Sequence, residues 1–99
     1  MKYEDFDKLY QKMVDEEMEI GKTKALEYTQ DDRLDNFKRI GQELGLDSKV
    51  VLWVYLKKHL DSIASYLKRG KSLSEPIESR IKDARVYLAL LRALIEEEK

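Results

Sequence analysis

The sequence predicts an all-α protein of four helices, packed in the manner of a four-helix bundle. Three observations predict it. Apolar residues recur three and four apart over long stretches, glycines and the lone proline stand where helices would stop or start, and no segment keeps the alternation of a half-buried strand.

The first helix is expected from about Tyr3 to about Lys24, on the stripe Tyr3, Phe6, Leu9, Tyr10, Met13, Val14, Met18 and Ile20. Glu17 interrupts this stripe, either as a carboxylate at its edge reaching solvent or as one turned into a polar pocket. Ala25 to Asp31 read as a polar connector containing Glu27 and Tyr28. A shorter second helix follows from roughly Asp32 to Leu44, with Leu34, Phe37, Ile40 and Leu44 on one face and Gly45 as its stop. The third opens at Asp47 or Ser48 as N-cap and runs to about Lys68, closed by Gly70. Its first half is rich in valine, but the ladder Leu52, Leu56, His59, Ile63, Leu67 holds a helical period over a length that no strand would keep. The fourth starts near Ser74-Glu75-Pro76, because a proline in the first turn surrenders only an N–H that has no partner there. Ile77, Ile81, Ala84, Leu88, Leu91 and Ile95 line one face and Tyr87, Leu90 and Leu94 a second, so its later half needs cover on more than one side. A contact with a second copy is the simplest cover, and a homo-oligomer is expected. The terminal Glu96-Glu97-Glu98-Lys99 is expected to fray.

At 99 residues the chain fits one domain. Charged residues are 39% of it, yet they nearly cancel to a net charge of −1, which argues against a duplex nucleic-acid binder or a polybasic membrane anchor. With no cysteine, thiolate metal sites, disulfides and cysteine nucleophiles are excluded. Met1-Lys2-Tyr3-Glu4-Asp5 has no signal-peptide hydrophobic run and no stretch reaches membrane-spanning length, so a cytoplasmic location is the expectation. Isolated glycines at 21, 41, 45 and 70 make no phosphate loop, and a single histidine makes no histidine-rich zinc site.

The chemistry therefore falls to carboxylates and a few basic groups. Glu75 and Glu78 share a face at the start of the fourth helix, where capping and the macrodipole also favour acids. Asp83 lies mid-helix on the line Arg80, Asp83, Tyr87, and is either an ion-pair partner of Arg80 or Lys82 or a ligand. On the third helix Lys58, Asp61 and Ser62 share one face, while His59 sits on the interior ladder as a core histidine or a functional one. A short Gly70–Ser74 connection predicts antiparallel third and fourth helices, which brings these groups toward the acids. Carboxylates from facing helices suit a hard cation such as Mg²⁺ and, through it, phosphate.

The pattern Lys24-x-x-Glu27-Tyr28, Asp32-x-Leu34-x-Asn36-Phe37, Lys58-His59 and Gly70-x-x-x-x-Glu75-x-Ile77-Glu78-x4-Asp83-x3-Tyr87 resembles small phage-type MazG-like proteins, described as nucleotide-modification-associated and grouped with the all-α nucleoside triphosphate pyrophosphatases. The likeness spans about residues 17–95 and is most specific in the last helix. It implies an oligomeric helical bundle that binds Mg²⁺ and cleaves a nucleoside triphosphate to monophosphate and pyrophosphate. Carried onto this chain, it implies Glu75, Glu78 and Asp83 as metal ligands, Tyr87 as the aromatic position, and Tyr28 and Asn36 in a loop facing base or sugar. Larger relatives carry Glu-x-x-Glu on the facing helix and an acid three before the final Asp. Here those places read Lys58-His59-Leu60-Asp61 and Arg80, residues that can bind phosphate directly.

Three functions follow as expectations. One is a Mg²⁺-dependent pyrophosphohydrolase in which Glu75, Glu78, Asp83 and either Asp61 or Glu17 hold the metal, while Lys58 and Arg80 neutralise phosphate charge and His59 and Asp61 join the catalytic group. Another is a nucleotide binder without catalysis, gripping phosphate through Lys58, His59 and Arg80. The third is a structural helical oligomer whose polar positions are merely solvated.

Overall fold

The structure is a computed structural model that describes residues 1–27, 34–71 and 74–99, with side chains of 20–27 outside the description. It is all-α, with helices α1 (Tyr3–Glu27), α2 (Asp35–Leu44), α3 (Ser48–Arg69) and α4 (Ile77–Glu97), and no strand among the described residues. The chain divides into two compact units, Met1–Arg33 and Leu34–Lys99. No described helix is long and apolar enough to cross a membrane.

In the first unit α1 runs to Glu27, past the expected end at Lys24, so Ala25–Glu27 belong to a helix and not to a connector. Lys24-Ala25-Leu26-Glu27 are all strong helix formers, with no glycine or proline to break the run. Phe6 and Tyr10, one turn apart, bring their rings within 6.0 Å.

The second unit is three helices around one core. α2 begins at Asp35; the expected start at Asp32 lies outside the described residues. It ends as its sequence requires. Gly45 takes the left-handed conformation at φ 69°, and the Leu46 N–H turns back to the Gly41 carbonyl at 2.8 Å, the pairing of a Schellman cap. Gly41 is needed for a different reason: a Cβ there would lie 2.6 Å from the Leu46 carbonyl oxygen.

Asp47 opens α3 by accepting the Lys49 backbone N–H at 2.8 Å, and this bond, with the Lys49 ammonium beside it, holds the Asp47 carboxyl below the usual aspartate range. Gly70 at φ 75° closes the helix, its N–H donating to Tyr66. Pro76 stands just before α4 and not inside its first turn; its carbonyl receives the N–H groups of Ser79 and Arg80. α4 then continues to Glu97, further than the fraying expected from Glu96 onward.

α3 packs against both α4 and α2. α3 and α4 are antiparallel: Lys49, at the start of α3, pairs with Glu98 just past the end of α4, and Tyr55 meets Tyr87 midway. Leu34, Phe37, Val51, Leu52 and Leu94 form the core, with Ile40, Tyr87, Leu90, Leu91 and Ala93 packed on it. Leu56 and Ala84 are also buried, one turn further along the α3–α4 seam. The α3 ladder does not stay interior: Leu67 is 75% exposed. Fifteen residues at about 100° each carry it about 60° around the helix from Leu52. On α4 the second apolar line is covered as expected, whereas Ile81, Leu88 and Ile95 remain exposed, seven apart along the helix.

Candidate functional site

Polar chemistry gathers along the seam where α3 and α4 run side by side, starting at the edge of the core and continuing beyond it. Three groups follow in order. The first is aromatic. Tyr55 on α3 and Tyr87 on α4 hold their rings parallel, 1° apart in tilt with centroids separated by 6.3 Å. Phe37 from α2 meets both edge-on at 6.0 and 6.2 Å, so the pair is held from below by a core side chain. The Lys58 ammonium stands 6.0 Å from the Tyr55 ring centroid.

One turn along lies His59, its ring 5.2 Å from that of Tyr87. The Nδ1 atom of His59 is buried without a hydrogen-bond partner, and the nearest acid is Asp83, with Oδ2 at 3.7 Å. That separation is an ion-pair approach and longer than a hydrogen bond. Of the two ion-pair partners expected for Asp83, Arg80 turns instead toward Ser74 and Glu75.

The third group is a cavity of about 180 Å³ lined by Ser62, Ser65, Tyr66, Lys71, Ser74, Glu75 and Arg80. Arg80 donates to the Ser74 hydroxyl at 3.1 Å, and its Nε lies 3.8 Å from Glu75. Two cations, the Ser65 and Ser74 hydroxyls and the Tyr66 phenol outnumber one carboxylate here, a donor-rich lining suited to an oxyanion, while the Ser62 hydroxyl is engaged with the Lys58 carbonyl.

The expected site residues divide accordingly. His59, Asp83, Tyr87, Arg80 and Glu75 lie along this seam, and Lys58 flanks it over Tyr55. Asp61 does not join them: it is exposed and bonded to Lys57 at 2.7 Å, an i, i+4 pair on the outer face of α3. Glu78 is exposed in the first turn of α4, where the helix dipole favours an acid. Asn36 is exposed and accepts from Arg39 at 3.3 Å. Glu17 is partly buried on α1, in the other unit. Tyr28 lies outside the described residues, as does the side chain of Glu27.

Among the described residues no three histidine or acidic side chains gather as a metal-holding group. Glu75 lies 3.8 Å from Arg80, Asp83 lies 3.7 Å from His59, and Glu78 faces solvent, so the three acids stand apart. Among the described residues of this unit, these acids as placed form no Mg²⁺ centre.

Sequence reasoning missed Tyr55, Ser65, Tyr66, Lys71 and Ser74. A usable signal was Ser62-x-x-Ser65-Tyr66, three polar residues on one helical face just before the turn to α4. Comparison with protein-family models, with curated proteins and with solved structures finds no match for this chain.

Proposed function

We propose that this protein binds a nucleotide along the α3–α4 seam, with the base against the Tyr55–Tyr87 end and the phosphates toward Arg80. The observation that carries the reading is the order of groups along one antiparallel pair: parallel aromatic rings, then His59 and Asp83, then a cavity lined by Arg80, Lys71 and serine hydroxyls. A nucleotide has that same order, a flat base at one end and charged oxygens at the other. Aromatic rings stack on any base, and guanidinium donors match phosphate oxygens. The MazG-like likeness supports the ligand class, and the bundle-like, homo-oligomeric arrangement it implies is part of the same proposal; the Mg²⁺ it implies belongs to the second reading below. Non-catalytic binding is the reading preferred, because Glu75, Glu78 and Asp83 stand apart and no three acidic or histidine side chains gather among the described residues.

A second reading, nucleoside triphosphate pyrophosphohydrolase activity, has one observation in its favour. The buried, unpartnered Nδ1 of His59 lies 3.7 Å from Asp83, and closing that gap to a hydrogen bond would orient the imidazole to take a proton from water. The two readings separate in one assay. ATP raising the melting temperature with no pyrophosphate released supports the binder. Pyrophosphate release that needs Mg²⁺ and is lost in Asp83→Ala supports the hydrolase. No thermal shift with any nucleoside triphosphate, with or without Mg²⁺, refutes both.

A further inference from the structure

We propose that the cavity lined by Lys71, Arg80 and the serines is a metal-independent oxyanion site whose resident occupant is the protein's own Glu75 carboxylate, displaced when a phosphate oxygen binds. The inference rests on the nucleotide reading for its natural ligand, though the cavity itself would accept any small polyphosphate.

Arg80 is the fixed member. Its side chain is only 25% exposed and is braced by the bond to Ser74, whereas the Glu75 side chain is 53% exposed and has solvent to move into. Glu75 approaches the Nε edge of the guanidinium at 3.8 Å, a loose contact longer than a bonded pair, so little holds it there. A guanidinium carries five N–H donors, and the Ser74 bond uses one of them. Lys71 lines the same cavity and supplies a second positive charge, and Ser65 and Tyr66 supply hydroxyls from α3. Ser62 donates to the Lys58 carbonyl at 3.1 Å and has no second proton for an anion, while Ser65 and Tyr66 remain able to donate. A cation-bridged site would need acids turned inward together; here the single acid on the wall faces an arginine. Phosphate oxygens would take over the contact that Glu75 now makes, with more charge and better geometry.

This assigns Glu75 the opposite sign from the one a metal ligand would have. As an internal competitor, Glu75 weakens anion binding; as a metal ligand, it would strengthen it. Calorimetric titration of the full chain with inorganic pyrophosphate in EDTA decides between them. The expected result is saturable binding without divalent cation, about 2- to 5-fold tighter in Glu75→Gln, the factor a loose exposed ion pair converts to. Arg80→Gln should weaken it by at least about tenfold, as loss of a charge-assisted bond does. Binding that appears only with Mg²⁺, or that Glu75→Gln abolishes, overturns the proposal. Silence with pyrophosphate while ATP still binds also overturns it and leaves the nucleotide reading standing. Binding of pyrophosphate but not of ATP supports the anion site and removes its proposed ligand.

Discussion

The two ends of the α3–α4 pair are built from the same helices and differ in what lies on them. At the start of α3, α2 closes over the seam: Phe37 and Leu34 seal Val51, Leu52 and Leu94, and Lys38 ties α2 to the end of α4 through Glu97 at 2.8 Å. α2 is only 10 residues long, about 15 Å, whereas α3 has 22. Beyond His59 the seam is lined by serines, Tyr66, Lys71 and Arg80 instead of leucines, and a cavity opens there. Length, set by Gly45 and Gly70, thus separates an end that gives stability from an end free to hold a ligand.

Mutations should break the molecule differently at each end. Leu52→Ala, at a position with no exposure, should destabilise the fold by about 2–5 kcal/mol in urea or thermal unfolding, while Leu67→Ala should change it by no more than about 0.5 kcal/mol although both lie on the same helical ladder. At the open end Arg80→Gln should leave the unfolding midpoint nearly unchanged and weaken nucleotide binding at least about tenfold by calorimetry. Gly41→Ala sharpens the view of the sealed end. Alanine ordinarily favours a helix by about 1 kcal/mol over glycine, yet here it should destabilise by about 1–3 kcal/mol, because its Cβ meets the Leu46 carbonyl.

The smallest effect concerns the cap where α3 begins. Folding lowers the Asp47 carboxyl below its ordinary value through the Lys49 N–H. Its contribution is therefore complete above about pH 4 and is lost as pH falls through the folded-state value. Asp47→Ala should flatten the stability profile on that acid limb and leave its shape near neutral pH unchanged, measured by urea unfolding across the acid range.

Helices were legible because their signals are local. Gly45, Asp47 and Gly70 each act within one turn of their own position, and the structure uses all three as the sequence suggests. The approach of His59 to Asp83 was legible at one remove, since the short Gly70–Ser74 connection implies antiparallel helices. What could not be read was which way long side chains turn. Arg80 shares a helical line with Asp83 but reaches back to Ser74 and Glu75. Asp61 lies two positions from His59 and therefore points away, satisfied by Lys57. Spacing along one helix places a Cα; the partner of a flexible charged group depends on the neighbouring helix.

The central claim is that one seam accepts base and phosphates together. Backbone and side-chain NMR shifts of the isotope-labelled protein, followed while ATP is added, test it most directly. The account predicts a continuous track of perturbed signals at Tyr55, His59, Ser62, Arg80 and Tyr87, with Val51, Leu52 and Leu94 unmoved. Saturable perturbations confined to other surfaces, with that track silent, would contradict it.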